Sequence, residues 1–437
     1  MEATLSLKNQ LPLSVRFFMI AVLLFFSLLF VGQLNGAEQN VFRSDILTFH
    51  GDQQISADML TSDSFPVTLV RRTATPSQTP QAYIVILRGI DHVERTLFQN
   101  AQNGNWGIFN LFRAALIAEG IRDPGLIDTY EARLNALVAR VLATAREEGN
   151  TTPRALTRSL FEAMHREILT GGYSLHCTEL SNVMNTGSFN CVSATVLFNV
   201  LAEKAGLDVR GLEMPGHALS MVKFTDGLAM KIETTAPNWF DLQTDQERHV
   251  ATQQRIAPTL AQASPPTAQD ANAPPVVIAE ADLPADLREI NSVQLVATIY
   301  YNIGVDLHAK RRFPEAAAAN LKALHLDRDN EKAWTNLLAS LNNWALDFAS
   351  ESNGRRYDIA TVILDQGVAL DPTYANFQAN QTYVFFYWIR GLAELGRFDD
   401  ARRVYDSAQT RLPGNRALHE LIGEVNQTEL RITQQRR

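Results

Sequence analysis

FNCVSATVLF, residues Phe189–Phe198, sets one of only two cysteines in 437 residues where a very apolar helix begins. Asn190 or Ser188 can cap that helix through a side-chain oxygen, and Gly206 ends it. From Val192 to Ala202 the sequence VSATVLFNVLA is apolar on nearly every face, which predicts burial at a domain centre. A cysteine in the first turn meets unpaired backbone N–H groups and the positive end of the helix macrodipole, both of which favour the thiolate. The alternative is a small residue that only packs.

A thiolate nucleophile needs a base, and the base needs an orienting group. His217 follows 26 residues later in MPGH, at the start of a strand, and Glu233 lies 16 residues beyond it in KIETT. DVRGLEM, HALSMVKF and LAMKIETT read as consecutive short strands after the helix, an α+β order rather than βαβ alternation. The loop between the last two strands decides whether histidine and acid meet. A two-residue Asp226–Gly227 turn, a common form, sends His217 and Glu233 to opposite faces. A five-residue KFTDG loop sets them directly opposite each other, and a three-residue TDG loop leaves them diagonal on one face. Their pairing therefore requires an odd loop or a bulge.

The second cysteine, Cys177, offers a discriminator, because a disulfide to Cys191 excludes a nucleophilic role for Cys191. His176 beside it has no CxxC or HExxH companion, so no metal ligands are expected. The sequence also lacks GxxxxGK and GxGxxG, which argues against a nucleotide cofactor.

Working outward, 46% of residues are hydrophobic and 20% charged, enough for two or three domains with real cores. The net charge of -8 and the lack of any long Lys/Arg run argue against nucleic acid as a partner. Residues 1–37 read as an export address: Lys8 and Arg16 precede the apolar run Phe17–Val31, and the small residues of NGA end at Ala37. A helix of that run is roughly 22 Å long, short of the ~30 Å hydrocarbon core. That favours a cleaved signal peptide slightly over a single N-terminal membrane anchor, with the bulk of the chain non-cytoplasmic in either case; a buried core helix is the remaining alternative. Residues 38–150 read as mostly helical, with one strand-like run at Tyr83–Leu87. Residues 151–250 hold the thiol module, and 251–290 form a Pro/Ala-rich linker.

Residues 291–437 carry an internal repeat. Gly304, Ala316 and Ala323 fall 12 and 7 residues apart, as do Ile389, Ala401 and Ala408, and Pro413 follows the second set. Ala360, Gly367 and Pro372 make a weaker middle copy, preceded by about ten extra residues, roughly FASESNGRRY. Small residues at such positions let antiparallel helices approach closely. The pattern is similar to tetratricopeptide repeats over about 294–415.

GSFNCVSATVLFNVLAEKAGLDVRGLEMPGHALSMV followed by KIETT resembles the core of the transglutaminase-like superfamily, which shares the papain-like arrangement of a cysteine on a central helix with a histidine and an acid on neighbouring strands. The resemblance covers about residues 155–245. It implies an α+β, papain-like core followed by an all-α helical-repeat domain. It further implies Cys191 as nucleophile, His217 as general base and acid, and Glu233 as the residue orienting the imidazole. The family more often has aspartate in that third role, with Asp241 and Asn238 as the substitutes here. The backbone N–H of Cys191 is a candidate oxyanion donor. The implied function is an exported thiol-dependent acyl-transfer enzyme, most simply a peptidase or amidase acting on protein or peptide amides, with repeats that hold a protein partner. The alternative is a non-catalytic transglutaminase-like scaffold whose repeats do the binding.

Overall fold

Three short strands, β1 (Leu47–Gly51), β2 (Phe65–Val70) and β3 (Ala82–Leu87), form an antiparallel sheet in the order β1-β3-β2. The computed structural model of the chain describes residues 45–51, 61–70, 82–101, 104–242, 247–248 and 287–435. The export segment and most of the expected linker lie outside them. Among the described residues no helix is long and apolar enough to cross a membrane. The strand-like run at Tyr83–Leu87 is β3, and the sheet adds β1 and β2 to it. FPVTLV buries Phe65, Val67 and Leu69 and exposes the residues between them, a half-buried strand pattern. Pro66 within it is tolerable because β2 is an edge strand.

Four helices follow: α1 (His92–Ala101), α2 (Leu111–Ala118), α3 (Pro124–Glu147) and α4 (Pro153–Glu167). The Asp123 and Thr152 side chains cap α3 and α4, each with proline in the first turn. Along α3, Leu134, Leu137, Val138 and Val141 form the buried stripe.

The next elements carry the thiol. β4 (Gly172–Tyr173) pairs in parallel with β5 (Ser188–Phe189), and between them lies α5 (Leu180–Thr186). α6 (Cys191–Lys204) is buried from Cys191 through Ala202. It packs on a sheet of β6 (Asp208–Met214), β7 (His217–Lys223) and β8 (Ala229–Ile232). A fourth strand, β9 (Arg288–Ile290), pairs antiparallel with β6, so the order is β8-β7-β6-β9. The expected linker thus ends before its stated limit of 290, because β6 offers an open edge. Gly211 in β6 permits the approach: a side-chain carbon there would stand 2.7 Å from Ile290.

The C-terminal region is entirely helical after β9: α7 (Ser292–Ala309), α8 (Phe313–Leu326), α9 (Glu331–Ala349), α10 (Tyr357–Leu370), α11 (Ala375–Glu394), α12 (Phe398–Arg411) and α13 (Arg416–Gln435). Consecutive helices pair, and the small repeat positions lie where they touch. Ala316, Ala323, Ala360, Ala401 and Ala408 are fully buried, and a side-chain carbon at Gly367 would stand 2.5 Å from the Phe377 ring.

The three segments expected as separate domains share one core. A single apolar cluster runs from Leu47 through α6 to Val384, and a smaller one spans Phe385–Val425. Buried Glu94 on α1 reinforces this junction by accepting from Tyr300 Oη on α7 (2.6 Å) and Lys322 Nζ on α8 (2.9 Å). Each segment alone would leave an apolar face exposed, and burying those faces against one another is the dominant favourable term.

Candidate active site

α6 begins at Cys191 because the preceding residues stop α5 and cap the new helix. Gly187, at φ 75°, closes α5 in the left-handed conformation, and two residues of β5 carry the chain to Asn190. The Asn190 Oδ1 accepts from the N–H groups of Val192 and Ser193 at 3.0 Å each, and the Ser193 hydroxyl accepts from Asn190 N–H at 2.9 Å. Ala194 N–H makes the first intrahelical bond, to Asn190 O. Among the described residues, the one donor of this first turn without an acceptor is the N–H of Cys191. The cap consumes its neighbours and leaves the N–H beside the thiol free to meet an oxyanion.

The Asn190 amide cannot flip within this network. Its Nδ2 donates to Leu175 O (3.0 Å) and to Thr178 Oγ1 (2.8 Å), so the oxygen must face the helix. Both cysteines are free thiols. Cys177 Sγ accepts from Asn182 Nδ2 at 3.0 Å, and His176 turns instead to Asp306 at 3.0 Å.

His217 enters from a hairpin. Met214 and His217 form its closing rung, with Pro215 and Gly216 between them and Gly216 at φ 70°, the pattern of a type II turn. β7 then pairs with β8 from Ser220 with Ile232 to Lys223 with Ala229. Phe224 N–H donates to Leu228 O at 2.8 Å, and Gly227 N–H donates to Phe224 O at 3.0 Å. The loop is therefore the three-residue Thr225–Asp226–Gly227 form, with Gly227 at φ 82°. In that register Glu233 stands diagonal to His217 on the same face.

The two side chains meet. His217 Nε2–H donates to Glu233 Oε2 at 2.6 Å, and both side chains are fully buried. The other carboxylate oxygen, Oε1, accepts from Thr235 N–H (3.0 Å) and Thr235 Oγ1 (2.6 Å). Burial works against an imidazolium here, but Glu233, through its charge and hydrogen bond, and the nearby Cys191 raise the His217 pKa to about 10. Nδ1 has no aligned hydrogen-bond partner. Thiol and ring are thus close enough to interact electrostatically, with no aligned hydrogen bond between them.

The substitutes for Glu233 do not reach the ring. Asp241 is exposed and pairs with Arg158 at 3.1 Å, and Asn238 is exposed ahead of the turn at Trp239–Asp241. Two supporting residues escaped the sequence reading. Thr235 is visible only as the second threonine of KIETT. Thr234 bonds Thr195 on α6 (2.9 Å) and, through its carbonyl, His165 on α4 (3.1 Å); nothing local in the sequence marks either contact.

No protein-family model matches the chain, and no curated protein matches it.

Proposed function

We propose that the chain is a thiol-dependent acyl-transfer enzyme, most simply a peptidase or amidase, built on a transglutaminase-like core with tetratricopeptide-like repeats behind it and exported from the cytoplasm. The observation that carries this reading is the convergence of Cys191, His217 and Glu233, with the imidazole held at 2.6 Å by a fully buried carboxylate. Structural ion pairs also perturb histidines, but a free cysteine at a capped helix start beside the same ring is the arrangement nucleophilic catalysis needs.

The chemistry follows from the parts. The Cys191 thiolate attacks the carbonyl carbon of an amide, and the C–O π pair moves onto oxygen. The Cys191 N–H meets that oxyanion. Collapse expels the amine, which takes a proton from the His217 imidazolium, leaving a thioester on Cys191. Neutral His217 then removes a proton from water as it attacks the thioester, yielding the acid and restoring the thiolate–imidazolium pair. An amine in place of water gives crosslinking by the same steps. Glu233 fixes the ring throughout.

A non-catalytic scaffold is the second reading, favoured by the burial of the site: Cys191 is only 7% exposed. Incubating wild type and Cys191→Ala with a peptide library and identifying products by mass spectrometry separates the two. Cleaved or crosslinked peptides present only with wild type support the enzyme; identical profiles sink it.

A further inference from the structure

Two short segments flank the thiol and the imidazole: the turn Leu175–Thr178, which holds the Asn190 cap, and the hairpin around Pro215–Gly216, which leads into His217. Each is tied by a side chain that belongs to the C-terminal helical region. Asn302 on α7 donates from Nδ2 to Thr178 Oγ1 at 3.2 Å, across 124 residues of sequence. Lys332 on α9 donates from Nζ to Met214 O and to Glu213 Oε1, both at 2.9 Å.

From these contacts we infer that α7 and α9 are part of the thiol site, with Asn302 and Lys332 as positioning residues for Cys191 and His217. The inference rests on the acyl-transfer reading above and adds to it where the site's geometry is controlled. Thr178 Oγ1 receives two donors, Asn190 Nδ2 and Asn302 Nδ2. Leu175 O already fixes which way the Asn190 amide faces; Asn302 keeps the Thr178 hydroxyl turned as an acceptor toward Asn190 Nδ2 and so fixes where the cap sits. Thr178 is itself buried, so water cannot easily replace Asn302 as donor. On the other side, Met214 O belongs to the rung that pairs with His217. The turn residues Pro215 and Gly216 carry no side-chain hydrogen-bonding group; Arg288 also holds Glu213, at 3.0 Å, but among the described residues it is the Lys332 ammonium that reaches Met214 O as well. The close approach at Gly211, where a side-chain carbon would also lie 3.4 Å from Leu295 of α7, leaves the helix no slack against β6. The His176–Asp306 pair adds a third tie, but His176 is 73% exposed, and such pairs contribute little.

The test uses the full chain and the alkylation of Cys191 by iodoacetamide, followed from pH 5 to 10 by mass spectrometry, with thermal melting recorded in parallel. Asn302→Ala and Thr178→Val should each lower the rate at neutral pH by about threefold to tenfold, the size of one net hydrogen bond, and move the profile toward that of an ordinary thiol. Thr178→Ser should restore it, and Lys332→Met should slow labelling in the same range. If wild type labels as an activated thiol while the variants share its pH profile and differ only in melting temperature, the ties are structural and the inference fails alone. If wild type itself labels as an ordinary cysteine, the acyl-transfer reading fails and takes this inference with it.

Discussion

Replacing Glu233 by glutamine tests the centre of the mechanism while preserving shape. Glu233 Oε1 accepts from two donors on Thr235, one of them a backbone N–H that cannot rotate away. A glutamine must therefore keep its carbonyl on Thr235 and turn its NH2 toward His217 Nε2. That nitrogen then has to accept, the ring proton moves to Nδ1, and the imidazole can no longer take a proton from the thiol. The electrostatic loss points the same way. The ring is held at about 10 against an ordinary 6.5, which at about 1.4 kcal/mol per pH unit is a net of roughly 5 kcal/mol; because burial opposes the charged ring, the carboxylate and the thiol together supply more than that net. Without Glu233, burial dominates and the ring is neutral at pH 7. Alkylation of Cys191 at pH 7 should fall on the order of a hundredfold, with Cys177 in the same sample as the internal reference. Melting at pH 6 and 9 tests the sign: a raised histidine stabilises below about 6.5 and loses that contribution as pH rises toward 10, so the wild-type advantage over Glu233→Gln should shrink across that window. A variant that alkylates at the wild-type rate and tracks wild-type pH stability would refute this account.

Thr235→Val keeps the backbone donor but removes the hydroxyl from buried Glu233 Oε1; it should cost about 1–3 kcal/mol in denaturant unfolding and slow Cys191 labelling several-fold, with Thr235→Ser close to wild type. Glu119 accepts from Leu180 N–H and, at 3.1 Å, from Ser181 N–H at the start of α5, and burial raises its pKa to about 7. The folded state therefore holds a proton that the unfolded state releases, so wild-type stability should fall as pH rises from about 4.5 to 7, a slope that urea titrations should find missing in Glu119→Gln. Glu119→Ala should lose about 1–3 kcal/mol by leaving both N–H groups unpaired. Gly367→Ala drives a methyl to 2.5 Å from the Phe377 ring and should destabilise by about 1–3 kcal/mol. Gly391→Ala meets nothing within 4 Å and should gain up to about 1 kcal/mol from helix propensity; equal melting temperatures would show that α10 and α11 do not pack as described.

What the sequence made legible follows from the range of each signal. The α6 helix could be read whole because its cap, its apolar run and its terminating glycine are local. The helix starts at Pro124 and Pro153 carry the same kind of local mark, an N-cap residue followed by proline. The repeat positions were readable because one periodic constraint, close approach of paired helices, returns at 12 and 7 residue steps. Of the first sheet only β3 was readable, for the opposite reason: β1 is five residues long, and it pairs with β3 more than thirty positions away. The contacts of Asn302 and Lys332 have no local signature, because they reach across 124 and 118 residues of sequence.

The loop at Thr225–Asp226–Gly227 shows where local reading stops. Asp226–Gly227 satisfies a two-residue turn as well as a three-residue one, so local preference alone leaves the register of β8 undecided. The folded chain decides it with Arg154, 72 residues away, whose guanidinium lies 4.4 Å over the Phe224 ring and pairs with Asp226 at 2.9 Å. Asp226 Oδ1 in turn accepts from Leu228 N–H at 3.0 Å. These contacts hold the wider loop, with Gly227 supplying the positive φ that closes it. A one-residue slip would turn every side chain of β8 to the other face. It would take Glu233 from the imidazole and expel Ile232 from the core. That Glu233 rather than Asp241 meets the imidazole thus follows from the register of β8, which burial of Ile232 favours, rather than from residue type.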